Sequence, residues 1–176
     1  MSQGFGSAIV PDGCGFSLQN RGANFSLQPG HANVLAPSKR PYHTIIPSMV
    51  TETSTGNLIM PFGVMGSWMQ PQGHVQVFLN MFKFGMDPQG ALDAARLCIS
   101  PGSPDGELLL EDGLDQVAAE LQASYGRQYK VVKGWHERGL FGRGQIILQR
   151  ADDAASTKRV LTGGSDPRGD GIAFGW

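Results

Sequence analysis

Residues 57–82 read NLIMPFGVMGSWMQPQGHVQVFLNMF, and two periodicities meet inside them. Upstream, Ile45 to Glu52 is rich in β-branched residues, Thr53-Ser54-Thr55-Gly56 is a turn signal, and Asn57 to Phe62 continues as a strand. This predicts a β-hairpin. It leads into a glycine loop, Phe62-Gly63-Val64-Met65-Gly66-Ser67. Val75, Phe78, Leu79 and Phe82 then recur at i, i+3, i+4 and i+7, with Val77 and Met81 widening the stripe. That spacing predicts a mostly buried helix from about Pro71 to Lys83. A glycine turn between strand and helix would aim backbone N–H groups at the helix start, an arrangement suited to a developing oxyanion. The same residues also suit a plain tight turn.

On the N-terminal side, Gly4, Gly6, Gly13, Gly15, Gly22, Gly30, Pro11, Pro29 and Pro37 exclude helices. Only Gly15-Phe16-Ser17-Leu18-Gln19 alternates enough to predict a strand. On the C-terminal side, Asp87-Pro88 signals an N-cap and first helical residue for a second helix through Ala91, Ala94 and Ala95. A third helix begins near Asp112 or Gly113, shows Leu114, Val117, Ala118 and Leu121, and stops at Gly126. Strand-like pieces follow at 128–133, 144–149 and 157–161, with a solvated turn expected over 149–156. One continuous domain over residues 1–176 is the expectation.

Composition removes several classes. Fourteen Lys plus Arg balance fifteen Asp plus Glu, for a net charge of −1, so nothing points to nucleic acid or an anionic membrane. Charged residues are 16% and the hydrophobic set 40%, against disorder. Two cysteines, Cys14 and Cys98, supply neither a disulfide framework nor a four-cysteine zinc site. His31, His43, His74 and His136 lack ligand spacing, so no metal is expected. No phosphate loop is present, and no cofactor is expected. No apolar run is long enough to span a bilayer, and Met1–Ser7 does not resemble a signal peptide. The compartment stays open.

Four stretches carry candidate chemistry. Arg21-Gly22-Ala23-Asn24 puts a cation and an amide on one turn, and Lys39-Arg40-Pro41-Tyr42-His43-Thr44 puts cations, an imidazole and a hydroxyl before a strand. Taken alone, both read more readily as solvated surface loops. Gly66-Ser67 is the turn described above. Ser165-Asp166-Pro167-Arg168 is turn chemistry, with Arg168 able to pair Asp166 or a distant carboxylate. These features alone indicate a globular domain of mixed helix and strand with an acyl-transfer or anion site as one reading.

Six collinear blocks resemble the γ-glutamyltransferase family: Gly4-Phe5-Gly6-Ser7, Leu18-Gln19-Asn20-Arg21-Gly22, Lys39-Arg40-Pro41-Tyr42-His43-Thr44, Gln70-Pro71-Gln72-Gly73-His74-Val75, Phe84-Gly85-Met86-Asp87-Pro88, and Ser165-Asp166-Pro167-Arg168-Gly169-Asp170-Gly171. The resemblance spans nearly the whole chain. It implies a precursor that cuts itself into a large and a small subunit, which form the αββα layers of the N-terminal-nucleophile hydrolases. The small subunit then starts with a threonine that serves as nucleophile, its freed α-amine as base.

This chain resembles the small subunit without its start. The expected fold is therefore α+β, a partial αββα sandwich truncated at its N-terminus. None of Thr44, Thr51, Thr53, Thr55, Thr157 or Thr162 is followed by the family's pattern, so the nucleophile is expected to be absent. Removal of Met1 would put the Ser2 hydroxyl beside a free amine, but the resemblance places Ser2 among the substrate-binding residues.

By the same resemblance Arg21, Asn24, His43 and Thr44 line the acyl pocket, and Gly66 with Ser67 forms the oxyanion hole. Asn24 stands where the family has a carboxylate that grips an α-ammonium. A glutaryl-type amide thus fits as well as a γ-glutamyl one. The implied partners are the large subunit of the same precursor and a small amide substrate. The alternative is a non-catalytic, partner-dependent fragment.

Overall fold

The computed structural model describes residues 6–100, 106–126, 129–150 and 160–175. They divide into two compact units, residues 1–45 and 46–176.

In the first unit no described residue is buried. Its order comes from local hydrogen bonds: Ser7 N donates to Leu18 O at 3.0 Å and Leu18 N donates to Ile9 O at 2.9 Å. The strand expected at 15–19 does not form. Gly13 and Gly15 take φ of +71° and +69°, which turns the chain out of extended geometry just where pairing would begin.

The second unit starts with the expected hairpin, β1 (Ser48–Thr51) against β2 (Leu58–Met65). With β6 (Arg143–Arg150) and β7 (Val160–Ser165) it makes an antiparallel sheet in the order β1-β2-β6-β7. Residues 62–65, expected in a loop, are the end of β2, because Phe62 to Met65 pair with Ile146 to Arg143. Only Gly66, Ser67 and Trp68 remain to reach α1 (Met69–Phe82). Of the expected strand at 157–161, residues 157–159 lie outside the described set, as do 151–156 of the expected turn.

Alternation along the sheet sorts its two faces. Met60, Phe62, Val64 and Ile146 point to the helical side and pack with Val77 and Met81 of α1 and Ala91 and Leu92 of α2 (Pro88–Asp93). Met49, Met65, Ile147 and Leu161 occupy the opposite face and are exposed, Met49 by 74% and Leu161 by 62%. One helical layer on one sheet gives the α+β class and the partial αββα sandwich.

Helix α1 corrects the sequence reading of its buried face. Met69, Gly73, His74, Val77 and Met81 are buried, whereas Val75 is 58% exposed and Phe78, Leu79 and Phe82 lie open. Gly73 sets this rotation. A methyl group there would come within 2.6 Å of Val64 Cγ1, so the absence of a side chain lets the helix press that side on β2.

A second sheet joins β3 (Leu97–Ile99), β4 (Leu108–Glu111) and β5 (Tyr129–Val132). Sequence periodicity did not indicate β3 or β4, since runs of three or four residues carry little period-2 signal. The parallel pairing of β4 and β5 requires a crossover, which α3 (Asp115–Tyr125) supplies and Gly126 ends at φ +63°.

Candidate functional site

The turn between β2 and α1 is left-handed at two successive residues. Gly66 has φ +130° and Ser67 has φ +56°. Their carbonyls accept from Met69 N at 3.0 Å and Gln70 N at 3.1 Å, which opens the helix. Among the described residues neither the Gly66 nor the Ser67 N–H has an acceptor, and the N-cap residue Trp68 supplies no side-chain cap. Two unpaired N–H groups therefore stand at the positive end of a 14-residue helix. That arrangement can donate to an oxygen that carries or develops negative charge.

The turn is wedged against the start of β6. A methyl group on Gly66 would lie 3.0 Å from Gly142 Cα and 3.1 Å from Met69 Cβ. Gly142 itself has φ +75°, and a methyl there would run into Met65 O. Both glycines are required by backbone approaching backbone.

Behind Gly142 lies a buried charge cluster that the sequence only half disclosed. Asp166 and Arg168 do pair, at 3.1 Å, as their turn spacing suggested. Arg168 also pairs with Glu111 of β4, and Arg96 with Asp166 at 2.7 Å. All four side chains are almost wholly buried. Arg138, partly exposed, adds a contact to Glu111 at 2.6 Å. Most of the remaining valences go to backbone, while the buried Arg96 Nε has no partner among the described residues. Arg168 donates to Leu92 O and Ala94 O, Arg96 to Leu92 O and Phe141 O, and Asp166 accepts from Gly144 N. Pairing and hydrogen bonding on this scale are what make buried charge tolerable.

Burial by itself would raise the Glu111 pKa, but hydrogen bonds from Arg168 and Arg138 hold it below the ordinary value. Burial likewise works to raise Asp166, and the Arg96 charge with the N–H groups of Arg168 and Gly144 brings it down. Arg96 is lowered by burial and by the charge of Arg168. Arg96 and Glu111 were missed because neither belongs to a recognisable motif. An arginine between Ala94-Ala95 and Leu97-Cys98, and a glutamate after Leu108-Leu109-Leu110, are the signals that could have found them.

The expected binding residues form local pairs. Arg21 and Asn24 share one 3-10 turn, Arg21–Asn24, and Asn24 O accepts from Asn33 Nδ2 at 2.8 Å. His43 and Thr44 adjoin in an irregular stretch, with His43 exposed. Both pairs belong to the first unit, and Gly66 and Ser67 to the second. Ser2 lies outside the described residues. No group of three His, Cys, Asp or Glu among the described residues is placed to hold a metal ion. No described helix is long and apolar enough to cross a membrane. Cys98 is buried, and burial pushes its thiol pKa up.

The family model described as Gamma-glutamyltranspeptidase matches residues 1–176. Over 174 residues the chain is 34% identical to a glutathione hydrolase-like YwrD proenzyme of Bacillus subtilis, covering 97% of this chain and 31% of that one. It is 30% identical over 174 residues to an oxamate amidohydrolase proenzyme of Klebsiella pneumoniae, with coverage of 98% and 31%. Among solved structures, a cephalosporin acylase from Bacillus halodurans superposes with a TM-score of 0.70 at 44% identity, covering 92% of this chain and 28% of that chain. A gamma-glutamyltranspeptidase from Pseudomonas nitroreducens complexed with L-DON gives a TM-score of 0.70 at 27% identity, covering 98% and 88%. The chain thus spans about a third of the length of the curated relatives it matches.

Proposed function

The chain belongs to the gamma-glutamyltranspeptidase family, and on that premise we propose that it is the small-subunit portion of an amidohydrolase that transfers or hydrolyses acyl groups held as amides. The observation that carries this reading is the pair of unpaired N–H groups on the left-handed Gly66-Ser67 turn at the start of α1. A hydroxyl supplied from outside this chain attacks the amide carbonyl. The carbonyl oxygen becomes an oxyanion, and the Gly66 and Ser67 N–H groups donate to it. Collapse of the tetrahedral intermediate expels the amine, and water or an acceptor amine then takes the acyl group. One such donor is worth about 3–4 kcal/mol of barrier.

Arg21, Asn24, His43 and Thr44, with Ser2, hold the acyl chain in this reading. Arg21 supplies a cation and Asn24, His43 and Thr44 supply hydrogen-bonding groups, a set suited to an acyl chain ending in a carboxylate. Glutaryl and γ-glutamyl amides share that feature. A relative named oxamate amidohydrolase supports an acyl group without an α-amine.

The partner is the large subunit of the same precursor. The exposed faces of α1 and of the four-stranded sheet support it, because apolar layers of this size are ordinarily covered. Those same faces favour a second reading, a partner-dependent chain with no activity of its own.

The test is hydrolysis of γ-glutamyl and glutaryl anilides by the 176-residue chain and by a longer precursor containing it. The precursor is expected to turn over and the chain alone is not. Turnover by the chain alone that survives Ser2→Ala and Thr44→Ala would overturn the assignment of the nucleophile to another segment.

A further inference from the structure

We propose that the buried Arg96–Asp166 pair is a positioning device for the Gly66-Ser67 turn, gripping residues 141–144 so that Gly142 holds the turn left-handed. This rests on the reading of Gly66 and Ser67 as oxyanion donors.

The grip is two-ended. Arg96 Nη1 donates to Phe141 O at 3.1 Å and to Gly142 O at 3.5 Å, while Nη2 pairs with Asp166 Oδ2 at 2.7 Å. The same Oδ2 accepts from Gly144 N at 2.7 Å. A guanidinium thus holds the carbonyls at the front of the segment and a carboxylate holds the amide at its rear. Gly142 lies between them.

Gly142 and the turn cannot move independently. A methyl on Gly142 would strike Met65 O and approach Val64 Cγ1 to 2.9 Å, and a methyl on Gly66 would meet Gly142 Cα at 3.0 Å. No atom separates the two backbones. Ser67 is the residue under strain, since a side chain at φ +56° is disfavoured and persists only where surroundings over-determine it. The planar fork of arginine suits this task, and a lysine ammonium could keep the ion pair but not both directions of donation.

Thermodynamic coupling tests the device in the full chain without any substrate. Ser67→Gly releases the strain and is expected to raise Tm by about 2–4 °C. In an Arg96→Lys background, where the turn relaxes, that gain should fall by at least half. In a Leu121→Ala background, destabilised through the separate Leu108-Leu110-Ala118 cluster, the gain should stay whole. Equal gains in all three backgrounds would overturn the proposal.

For an Arg96→Lys chain that does not fold, Ser67→Gly alone serves. Coupling is reciprocal. The Gly142 and Gly144 amide resonances and the Arg96 guanidinium resonance should move, and stationary resonances would overturn the proposal. Because no turnover is measured, failure of the amidohydrolase reading and failure of this coupling give different results.

Discussion

Gly142 and Gly66 face each other with no room for a side chain on either, a methyl on Gly66 falling 3.0 Å from Gly142 Cα. The junction of β2 with α1 and the entry to β6 are thereby one packing unit. The catalytic reading of Gly66-Ser67 depends on this closeness, because a backbone N–H is aimed only as well as its peptide plane is held.

Gly142→Ala should be among the most damaging single methyl additions in the chain. Its Cβ would overlap Met65 O, and φ +75° disfavours any side chain. A loss of about 3 kcal/mol or more is expected. Urea denaturation followed by circular dichroism measures it, and a loss under 1 kcal/mol would contradict the packing described.

Ser67→Gly should act in the opposite direction. Relief of one left-handed non-glycine residue is worth about 1 kcal/mol. A thermal melt of the variant beside the parent decides the sign.

Stability should fall on acidification. Glu111 and Asp166 both have folded pKa values held below their ordinary values of 4.5 and 3.8. A depressed carboxylate contributes stability that is full above its unfolded pKa and is lost as pH falls through the folded one. The urea midpoint should therefore be flat from about pH 7 to 5 and drop below about pH 4. Glu111→Gln should flatten part of that drop, and an unchanged acid slope would show that the folded pKa of Glu111 is not held below its unfolded one.

Two ion pairs should differ sharply in worth. Glu111→Leu takes away one of the two carboxylates that pair with the buried Arg168 and leaves its Nε without that acceptor, at a cost of about 3–5 kcal/mol. Lys133→Ala, which removes an exposed pair with Asp115 at 3.7 Å, should cost under about 0.5 kcal/mol. Parallel denaturation curves give both.

The open face of α1 should accept charge. Val75→Glu at a 58% exposed position is expected to leave the melting temperature within a degree or two and to reduce self-association in light scattering. Val77→Glu, two residues on and fully buried, should unfold the chain.

Much of the fold was legible because local rules act over a few residues. The hairpin around Thr53-Gly56, the Asp87-Pro88 start and the Gly126 stop are short-range devices, and each appears where its chemistry predicted. Asp87 accepts from Gly90 N at 2.7 Å, as an N-cap should.

The helical stripe at Val75, Phe78, Leu79 and Phe82 was read with the right period and the wrong face. Hydrophobicity ranks those residues as core. Packing instead chose the side where Gly73 lets two backbones approach, and approach distance is not written in an apolar period.

By itself the sequence determined the hairpin, the three helices, the family and the turn that bears Gly66 and Ser67. It did so because caps, turns, periods and collinear blocks are local or alignable signals. Only the tertiary structure decided that Arg96, Glu111, Asp166 and Arg168 form one cluster, that Gly142 backs the turn, and that α1 shows an apolar face outward. Arg96 and Glu111 are 15 residues apart and Glu111 and Arg168 are 57. Charge pairing at such separations depends on which strands lie side by side, and no local propensity encodes that.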